Sequence, residues 1–490
     1  MVHSHVPLHD WPMNKRMTRR RKTVLTAVIV LLALLGLYSA ATVRFLTAPY
    51  RVRSNVCEQV RAQCVGTDGA PGCIEAMNDL CRGDASFDPP SDSPLFALWP
   101  NIEPGDAEWK AFVFHVEGES SRVQGVQAAC GRAHLGDSVS MIGHGLSCDS
   151  SWFVAGGLGR IRGAVRLLTA DAIIAGSQQQ HGRVVANIEA MCSLADRTSL
   201  PEEPTHRLLA GAILVQAAGL VRQLGAGNAS GPALLQEVSN EHLERMHQAL
   251  QASANATLTC SPAFHRMTGD DYIQHIFSDD GKGNGVFGWR GYQWVRRMED
   301  QSGVRARGFA TDGGPLLPIN AQLLPDRKSV QMYSDKVQDS LRQWCAEPYW
   351  LRTQPAFLRQ PPGSKVAKLC LAPTEEAVLL ESNAIARCSM IRAAAVIAIT
   401  AEQYRRATGG LPTSLEQIGL APEFTVDLFT GEQLLLQARG TSVMVYSRGQ
   451  DRDNDGGREA DESSAAGTWI EPAHLREAVD GDFVLWPVPK

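Results

Sequence analysis

The chain has 490 residues, a length that predicts two or three domains rather than one. Its hydrophobic fraction of 44% and charged fraction of 20% are typical of a globular protein. The formal net charge of -5 argues against nucleic acid as the main partner, because a nucleic-acid-binding surface needs an excess of basic residues.

The first predicted element is an uncharged, mostly apolar run from Val24 to Val43. At about 1.5 Å per helical residue, its length matches a hydrocarbon core of roughly 30 Å. A basic cluster precedes it and consists of Lys15, Arg16, Arg19, Arg20, Arg21 and Lys22. The positive-inside rule therefore predicts a cytoplasmic tail at residues 1–23, a single anchor in the bacterial inner membrane at residues 24–43, and a periplasmic location for the bulk of the chain.

A cleaved signal peptide is the alternative to this anchor, because Ser39-Ala40-Ala41 resembles a small-residue cleavage site. The apolar run is longer than the usual hydrophobic region of a signal peptide, which favours an uncleaved anchor. No second segment is expected to reach spanning length. Leu208–Val221 is the best candidate, and a run of that length more often forms a buried helix.

Residues 44–100 are predicted to form a Cys-rich segment and a linker. Four of the eleven cysteines lie just beyond the anchor, at Cys57, Cys64, Cys73 and Cys81, and the stretch from Phe87 to Pro100 is rich in Pro, Asp and Ser. In an oxidising compartment such a cluster predicts structural disulfides, and four cysteines allow three connectivities. Because the total is odd, we expect at least one thiol to stay unpaired or to bond to another chain.

Residues 101–380 are predicted to form a mainly helical domain. Between about Gly159 and Leu258, apolar segments alternate with helix breakers, which predicts successive helical hairpins packed through apolar stripes. From about Asp279 to Pro362 the chain contains many Gly, Pro, Arg and Trp residues, and we expect this region to be irregular. Its Asp279–Gly285 turn has the wrong spacing for a calcium loop and predicts a connector.

Residues 381–490 are predicted to form a small α+β module. The predicted elements are one long Ala-rich helix from Ile385 to Arg405, a stop at Gly409-Gly410, a turn at Asp427–Glu432, and a strand pair of Leu434–Gln437 with Val443–Tyr446. The expected fold class is therefore mainly α, with one N-terminal transmembrane helix, a helical-hairpin middle domain and this C-terminal module.

An acidic segment after the second strand matches the calcium-loop template D-x-[DN]-x-[DN]-G-x5-E at every specified position. Calcium prefers about 6–8 oxygen ligands from a turning backbone. The pattern predicts a bound Ca²⁺ with ligands from Asp451, Asp453, Asp455, Gly457, Glu459 and Glu462. The alternative is a solvated acidic turn, since Asp and Gly are common in loops. A paired EF-hand sensor is not predicted, because the loop follows a strand and has no second copy.

The C-terminal order of elements resembles the globular part of the type II secretion major pseudopilins, over roughly the last 100 residues. The matching pieces are Tyr404-Arg405, Gly409–Pro412, Asp427–Gly431, Tyr446–Gly449 and Asp451–Gly457. In that family an acidic loop after the strands holds calcium, so the resemblance implies calcium ligands at Asp451, Asp453 and Asp455 and a structural turn residue at Asp427. The pseudopilin leader does not precede Val24, so assembly into a pilus is not implied.

The layout of the whole chain resembles a family of uncharacterised bacterial envelope proteins in which an anchor is followed by helical hairpins and a pseudopilin-like module. The chain has no H-E-x-x-H, Walker or dinucleotide-binding motif, and we expect no catalytic residues. The predicted function is a non-enzymatic structural or interaction protein with a protein partner in the envelope. The alternative is an envelope hydrolase with a site in residues 265–362, where His265 and His275 lie near Asp270 and Asp271.

Overall fold

The structure is a computed structural model of the chain. It describes residues 15–51, 59, 62–63, 72–81, 87–99, 102–136, 157–199, 204–226, 234–253, 261–302, 317–352, 365–449, 452–458 and 482–486.

Within these ranges the protein is mainly helical and carries one small antiparallel sheet near the C-terminus. The α-helices are α1 (Lys15–Thr47), α2 (Cys73–Leu80), α3 (Leu95–Leu98), α4 (Trp109–Gly118), α5 (Ser120–Cys130), α6 (Gly157–Ser177), α7 (His181–Ser199), α8 (Pro204–Ala226), α9 (Asn240–Ala252), α10 (Pro262–Ile276), α11 (Trp289–Ser302), α12 (Leu317–Gln322), α13 (Arg327–Ala346) and α14 (Lys365–Thr408). Short 3-10 helices cover Leu234–Gln236, Tyr349–Leu351, Leu415–Ile418 and Pro422–Phe424. The strands are β1 (Leu435–Arg439), β2 (Ser442–Ser447) and β3 (Phe483–Trp486).

The chain divides into two compact units. The first comprises residues 1–53, 272–333 and 363–369, and the second comprises residues 54–271, 334–362 and 370–490. In the first unit, α11 and α12 pack against α1. Phe45 of α1 is buried in this unit at 2% exposure, and its ring centroid lies 6.4 Å from that of Phe287.

The second unit is built around α7, which packs against α6, α8 and α9. A tight turn joins α6 to α7 with Gln179 in the left-handed region, at φ 58°. The buried apolar residues of these helices form one hydrophobic cluster, which also includes buried residues of α2, α4, α5 and α14. The chain between residues 159 and 258 is therefore helical in the described residues, as predicted, and the helices pack through the apolar stripe that each one buries.

The region from residue 279 to residue 362 is more regular than the sequence predicted. It contains α11, α12 and α13, although we expected irregular structure there. The Gly and Pro residues suggested breaks, but α11 and α13 have broad polar faces and bury only a narrow stripe, such as Val330, Val337 and Leu341 of α13. The buried positions recur at helical spacing, so the periodic signal was present in the sequence, and the Gly and Pro content outweighed it in the prediction.

The long C-terminal helix, α14, begins at Lys365, well before the start that the sequence predicted. Pro373 lies inside it, and a proline in a helical pattern normally indicates a break. The helix ends where predicted, because Gly409 adopts φ 80° and its N–H donates to the Arg405 carbonyl at 2.8 Å. Its segment from Met390 to Ala401 is largely buried in the hydrophobic cluster.

The sheet has the order β1-β2-β3, and both pairs are antiparallel. The β1–β2 pair confirms the predicted hairpin, with Gln437 opposite Met444. The sequence did not predict β3, which pairs with β2 through an irregularity between Val445 and Tyr446. Arg222 of α8 donates to the Leu485 carbonyl at 2.7 Å and joins β3 to the helical core.

Within the described ranges, the free thiols include Cys73, Cys81, Cys130, Cys192 and Cys388. Cys73 opens α2, and its N–H donates to the His134 carbonyl at 3.0 Å, just beyond the end of α5 at Cys130. Burial raises the pKa of the Cys130 thiol, and the nearby Cys73 thiol raises it further. Cys57 and Cys64 lie outside the described residues, so disulfide formation in the Cys-rich segment stays a prediction.

Candidate functional site

The turn that leads into the sheet is organised by Asp427, which is 1% exposed. Its Oδ1 accepts hydrogen bonds from the Phe429 N–H and the Ser447 hydroxyl, both at 2.9 Å, and its Oδ2 accepts one from the Arg448 N–H at 3.2 Å. Burial raises the pKa of Asp427, and these hydrogen bonds act in the opposite direction. Asp427 therefore ties the turn to β2 and has a structural role.

The acidic loop follows β2, and its described part is residues 452–458. The Asn454 Oδ1 accepts hydrogen bonds from the Gly456 N–H at 3.0 Å and from the Tyr446 hydroxyl at 3.2 Å. Gly456 and Gly457 adopt φ 70° and 79°, which only glycine reaches without strain. The loop therefore makes the sharp bend that its glycines predicted.

Half of the predicted calcium ligands can be placed in this loop. Asp451, Glu459 and Glu462 lie outside the described residues. The side chain of Asp453 is exposed, and the Asp455 Oδ1 accepts a hydrogen bond from Arg458 at 2.9 Å. Gly457 donates its N–H to the Asp482 Oδ2 at 2.7 Å. Within the described ranges, no group of three or more His, Cys, Asp and Glu side chains is arranged to hold a metal.

Two carboxylates, one in the loop and one beside it, nevertheless have oxygen atoms of the kind that bind a cation. The Asp455 Oδ2 is buried and accepts no hydrogen bond from the described residues. Asp482 is 0% exposed and bonds to the loop through Gly457. The sequence did not predict a role for Asp482, whose only signal is its position directly before the apolar Phe483–Trp486. It comes to the loop because β3 pairs with β2, a contact that sequence order does not reveal.

Arginine side chains surround the same loop and affect how it can bind a cation. Arg458 pairs with Asp455, and the Arg439 guanidinium donates to the Gly456 carbonyl at 3.3 Å. A guanidinium at hydrogen-bond distance already balances a carboxylate and must move before a metal ion takes its place. The charge of the loop is therefore neutralised in part by the protein itself.

The two histidines of the region that could hold a hydrolase site differ in burial, since His265 is buried and His275 is half-buried. The His265 Nε2 lies 3.2 Å from the Glu381 Oε2, and the two side chains are 2% and 0% exposed. His275 stacks on Trp294 with ring centroids 5.8 Å apart, and burial lowers its pKa. A general acid or base must reach its substrate. In this structure His265 is not presented to an open surface.

A narrow cleft lies between α14 and the β1–β2 hairpin, lined by Glu402, Leu411, Val443 and Trp486 among others. Its volume of about 20 Å³ holds roughly one water molecule. Glu402 lies at this cleft with its charge balanced, since both Arg405 and Arg406 donate to it at 2.7 Å. The cleft is too small to bind an organic substrate.

Among the residues that the structure describes, three helical segments are long and apolar enough to cross a membrane by length and composition. They are Thr26–Thr47 in α1, His206–Leu224 in α8 and Glu381–Thr408 in α14. The expectation that no second segment reaches spanning length is therefore wrong on this criterion. The three differ in burial: the apolar window of α1 is 0% buried, whereas those of α8 and α14 are 56% and 67% buried within the protein.

Comparison with known proteins identifies no relative of this chain: no protein-family model matches it, and no curated protein or solved structure gives a significant match.

Proposed function

We propose that this chain is a bacterial inner-membrane protein with a cytoplasmic N-terminus, one membrane-spanning helix and a periplasmic bulk that acts through protein contacts rather than catalysis. The observation that carries the proposal is α1. Its Thr26–Thr47 segment has a mean hydropathy of 2.2 and none of its apolar window is buried. An apolar face of this size needs a partner other than water, and a bilayer provides one.

The direction of insertion follows from charge. The basic residues of the segment 15–22 lie at the N-terminal end of α1. Positive charge is retained on the cytoplasmic side, so the chain beyond α1 enters the periplasm. The other two apolar helices bury much of their apolar surface against protein, which favours their being core helices rather than further spans.

The C-terminal module is proposed to be a pseudopilin-like unit stabilised by Ca²⁺. What supports this is the order of elements, in which α14 runs through a turn at Asp427 into a β-hairpin and an acidic loop. The buried, unbonded Asp455 Oδ2 supports a cation at the loop. If Ca²⁺ binds there, Asp453, Asp455 and the residues 451, 459 and 462 of the loop would hold it, and the ion would offset their mutual repulsion.

A protein partner in the envelope is proposed to contact the second unit on α3 and α4. Trp99, next to α3, packs edge-on against Phe112 of α4 with ring centroids 5.3 Å apart. On these helices Phe114 is 82% exposed and Phe96 and Leu98 are 40% and 39% exposed. Apolar side chains on adjoining helices favour a contact surface for protein.

Reporter fusions test the membrane topology. Alkaline phosphatase is active only in the periplasm, so we expect a fusion after Lys490 and one after Arg51 to be active. The matched control is a fusion after Lys22, which lacks the apolar helix and should be inactive. Alkaline carbonate should leave the full chain in the membrane pellet. An inactive C-terminal fusion, or release by carbonate, would contradict the proposal.

The mass of the mature chain separates the anchor from a cleaved signal peptide. An intact mass of the full 490 residues is expected for an anchor. A mass that begins beyond Ala41 would replace the anchor with a released periplasmic protein.

A further inference from the structure

The outer end of α1 is enclosed by aromatic residues of the first unit. Along the apolar part of α1 the large side chains are exposed, for example Leu37 at 68%, but Phe45 is 2% exposed. Trp289 packs edge-on against Phe45 with ring centroids 6.1 Å apart. Tyr292 in turn stacks on Trp289 at 5.3 Å. The apolar helix thus ends in a cluster of aromatic rings.

Two close backbone approaches position this cluster. A Cβ added at Gly288 would lie 3.0 Å from the Phe45 carbonyl oxygen, and one added at Gly291 would lie 2.0 Å from the Ile276 carbonyl oxygen. Neither glycine can be replaced without moving the backbone. The start of α11 is therefore held against the end of α1, and Trp289 lies at the same level as Phe45 along the axis of α1.

The length of α1 determines where Trp289 lies relative to the bilayer. From Thr26 to Thr47 there are 22 residues. At about 1.5 Å per residue they cover about 33 Å, and the hydrocarbon core is roughly 30 Å thick. When Thr26 is near one boundary of the core, Phe45 is near the other. Trp289 then lies where the acyl chains meet the lipid headgroups.

The side chains around this end have the chemistry of that layer. Trp289 is 38% exposed, an unfavourable position for an indole in water, whereas Trp and Tyr are enriched at membrane interfaces. The Arg290 guanidinium lies 5.6 Å from the centre of the Tyr50 ring, and Arg290, Arg44 and Arg51 are all exposed. Exposed guanidinium groups at this level can bind lipid phosphates.

We propose that Trp289, Tyr292, Tyr50 and Arg290 form an interfacial patch that contacts the outer headgroup layer of the membrane. The inference rests on the proposed function, because it requires α1 to be embedded. It adds a second membrane contact, made by the folded first unit rather than by the anchor. Because α11 is held against the end of α1, the patch would place the folded part of that unit against the bilayer surface.

Quenching of tryptophan fluorescence by brominated lipids tests the patch. The full chain is reconstituted into phosphatidylcholine vesicles whose bromines lie either near the headgroup end or near the methyl end of the acyl chain. The difference between wild type and Trp289→Phe isolates the contribution of Trp289. We expect that contribution to be about one tenth of the total emission, since the chain has 10 tryptophans, and to be quenched more by the shallow bromines.

The matched control is Trp294→Phe, because Trp294 lies in the same helix and is only 7% exposed. Removing Trp294 should leave the quenched emission unchanged. Equal quenching in wild type and Trp289→Phe would overturn the patch.

Flotation of the same vesicles in alkaline carbonate separates this failure from that of the proposed function. A chain that floats without quenching of Trp289 is anchored but lacks the patch. A chain that does not float contradicts the anchor and, with it, the patch.

Discussion

The carboxylate of Asp171 is buried at 0% exposure in α6, and two side chains of α7 satisfy it. Arg183 donates its Nε–H to the Asp171 Oδ2 at 3.0 Å and also pairs with Oδ1. The Asn187 amide donates to the same Oδ2 at 2.8 Å, and Gln127 of α5 donates to the Asn187 Oδ1 at 2.8 Å. A buried charge is tolerated only when it is paired and hydrogen-bonded in this way.

Replacing Asp171 by Ala should destabilise the protein strongly, because it leaves the buried amide and guanidinium donors without their acceptor. We expect a loss of about 3 kcal/mol in the free energy of unfolding, measured by denaturant titration of the detergent-solubilised chain. The control is Arg245→Ala. Arg245 pairs with Glu189, but these side chains are 39% and 34% exposed, so the expected loss is below about 1 kcal/mol. Equal losses in the two variants would contradict the role of burial.

Asp196 of α7 makes the stability of the protein depend on pH. Burial raises its pKa to about 6, while Arg197 and Arg392 oppose the rise. Because the folded state binds this proton more tightly than the unfolded state, the protein loses stability as the pH rises through the interval from about 4 to about 6.

Replacing Asp196 by Asn removes the group that titrates. We expect Asp196→Asn to be more stable than wild type at neutral pH, by on the order of 1 kcal/mol after allowance for solvent screening, and equal to it below about pH 4. Thermal unfolding at a series of pH values measures this difference. A difference between the two proteins that does not change with pH would contradict the raised pKa.

Among the elements, the acidic loop is the one whose cation binding depends most on charged groups close to its carboxylates. Within the loop, Arg458 pairs with Asp455 and so competes with a cation for that carboxylate. Asp482 lies outside the loop and adds a second carboxylate through its hydrogen bond with Gly457. A cation that binds the folded loop raises the unfolding temperature by mass action, with about 2.7 kcal/mol of stabilisation at a concentration 100 times the dissociation constant.

We expect millimolar Ca²⁺ to raise the melting temperature of the full chain relative to chelator. The double variant Asp453→Ala, Asp455→Ala should abolish the rise. Arg458→Gln should shift half-maximal stabilisation to lower Ca²⁺, since it removes the competing guanidinium. Differential scanning fluorimetry across a calcium series measures all three.

The control is Asp280→Ala in the other Asp/Gly turn. There the Asp280 Oδ1 accepts hydrogen bonds from the Lys282 and Asn284 N–H groups at 2.8 Å and 3.1 Å, as expected of a connector. This variant should keep the calcium response. An identical melting temperature for wild type in chelator and in calcium would contradict the proposed calcium site.

Elements whose signal is local were predictable, and elements that depend on distant contacts were not. The hairpin of β1 and β2 follows from the leucines before Arg439-Gly440 and the β-branched and aromatic residues after it. The stop of α14 at Gly409 is equally local. By contrast, β3 is short and far along the chain, and only its pairing with β2 makes it a strand.

At the scale of the whole molecule, burial separates helices that look alike in sequence. The segments in α1, α8 and α14 all meet the length and composition of a span. Hydropathy measures what a segment contains and not what it contacts. In the folded chain Arg222 of α8 bonds to β3, and Arg392 of α14 donates to the Ser253 carbonyl at 3.2 Å. Such polar ties suit a helix that packs within protein.

The sequence by itself determined the apolar N-terminal helix, the helical middle region, the β-hairpin and the acidic loop with its glycine bend, because each depends on residues close together in the chain. Only the tertiary structure decided that, of the three apolar segments described, the one in α1 leaves its window exposed, that Asp171 finds its partners on α7, that Asp482 joins the loop and that Trp289 packs on the end of α1. These features arise from contacts between residues separated by tens to hundreds of positions. Burial and pairing across such distances are properties of the fold, and local composition does not encode them.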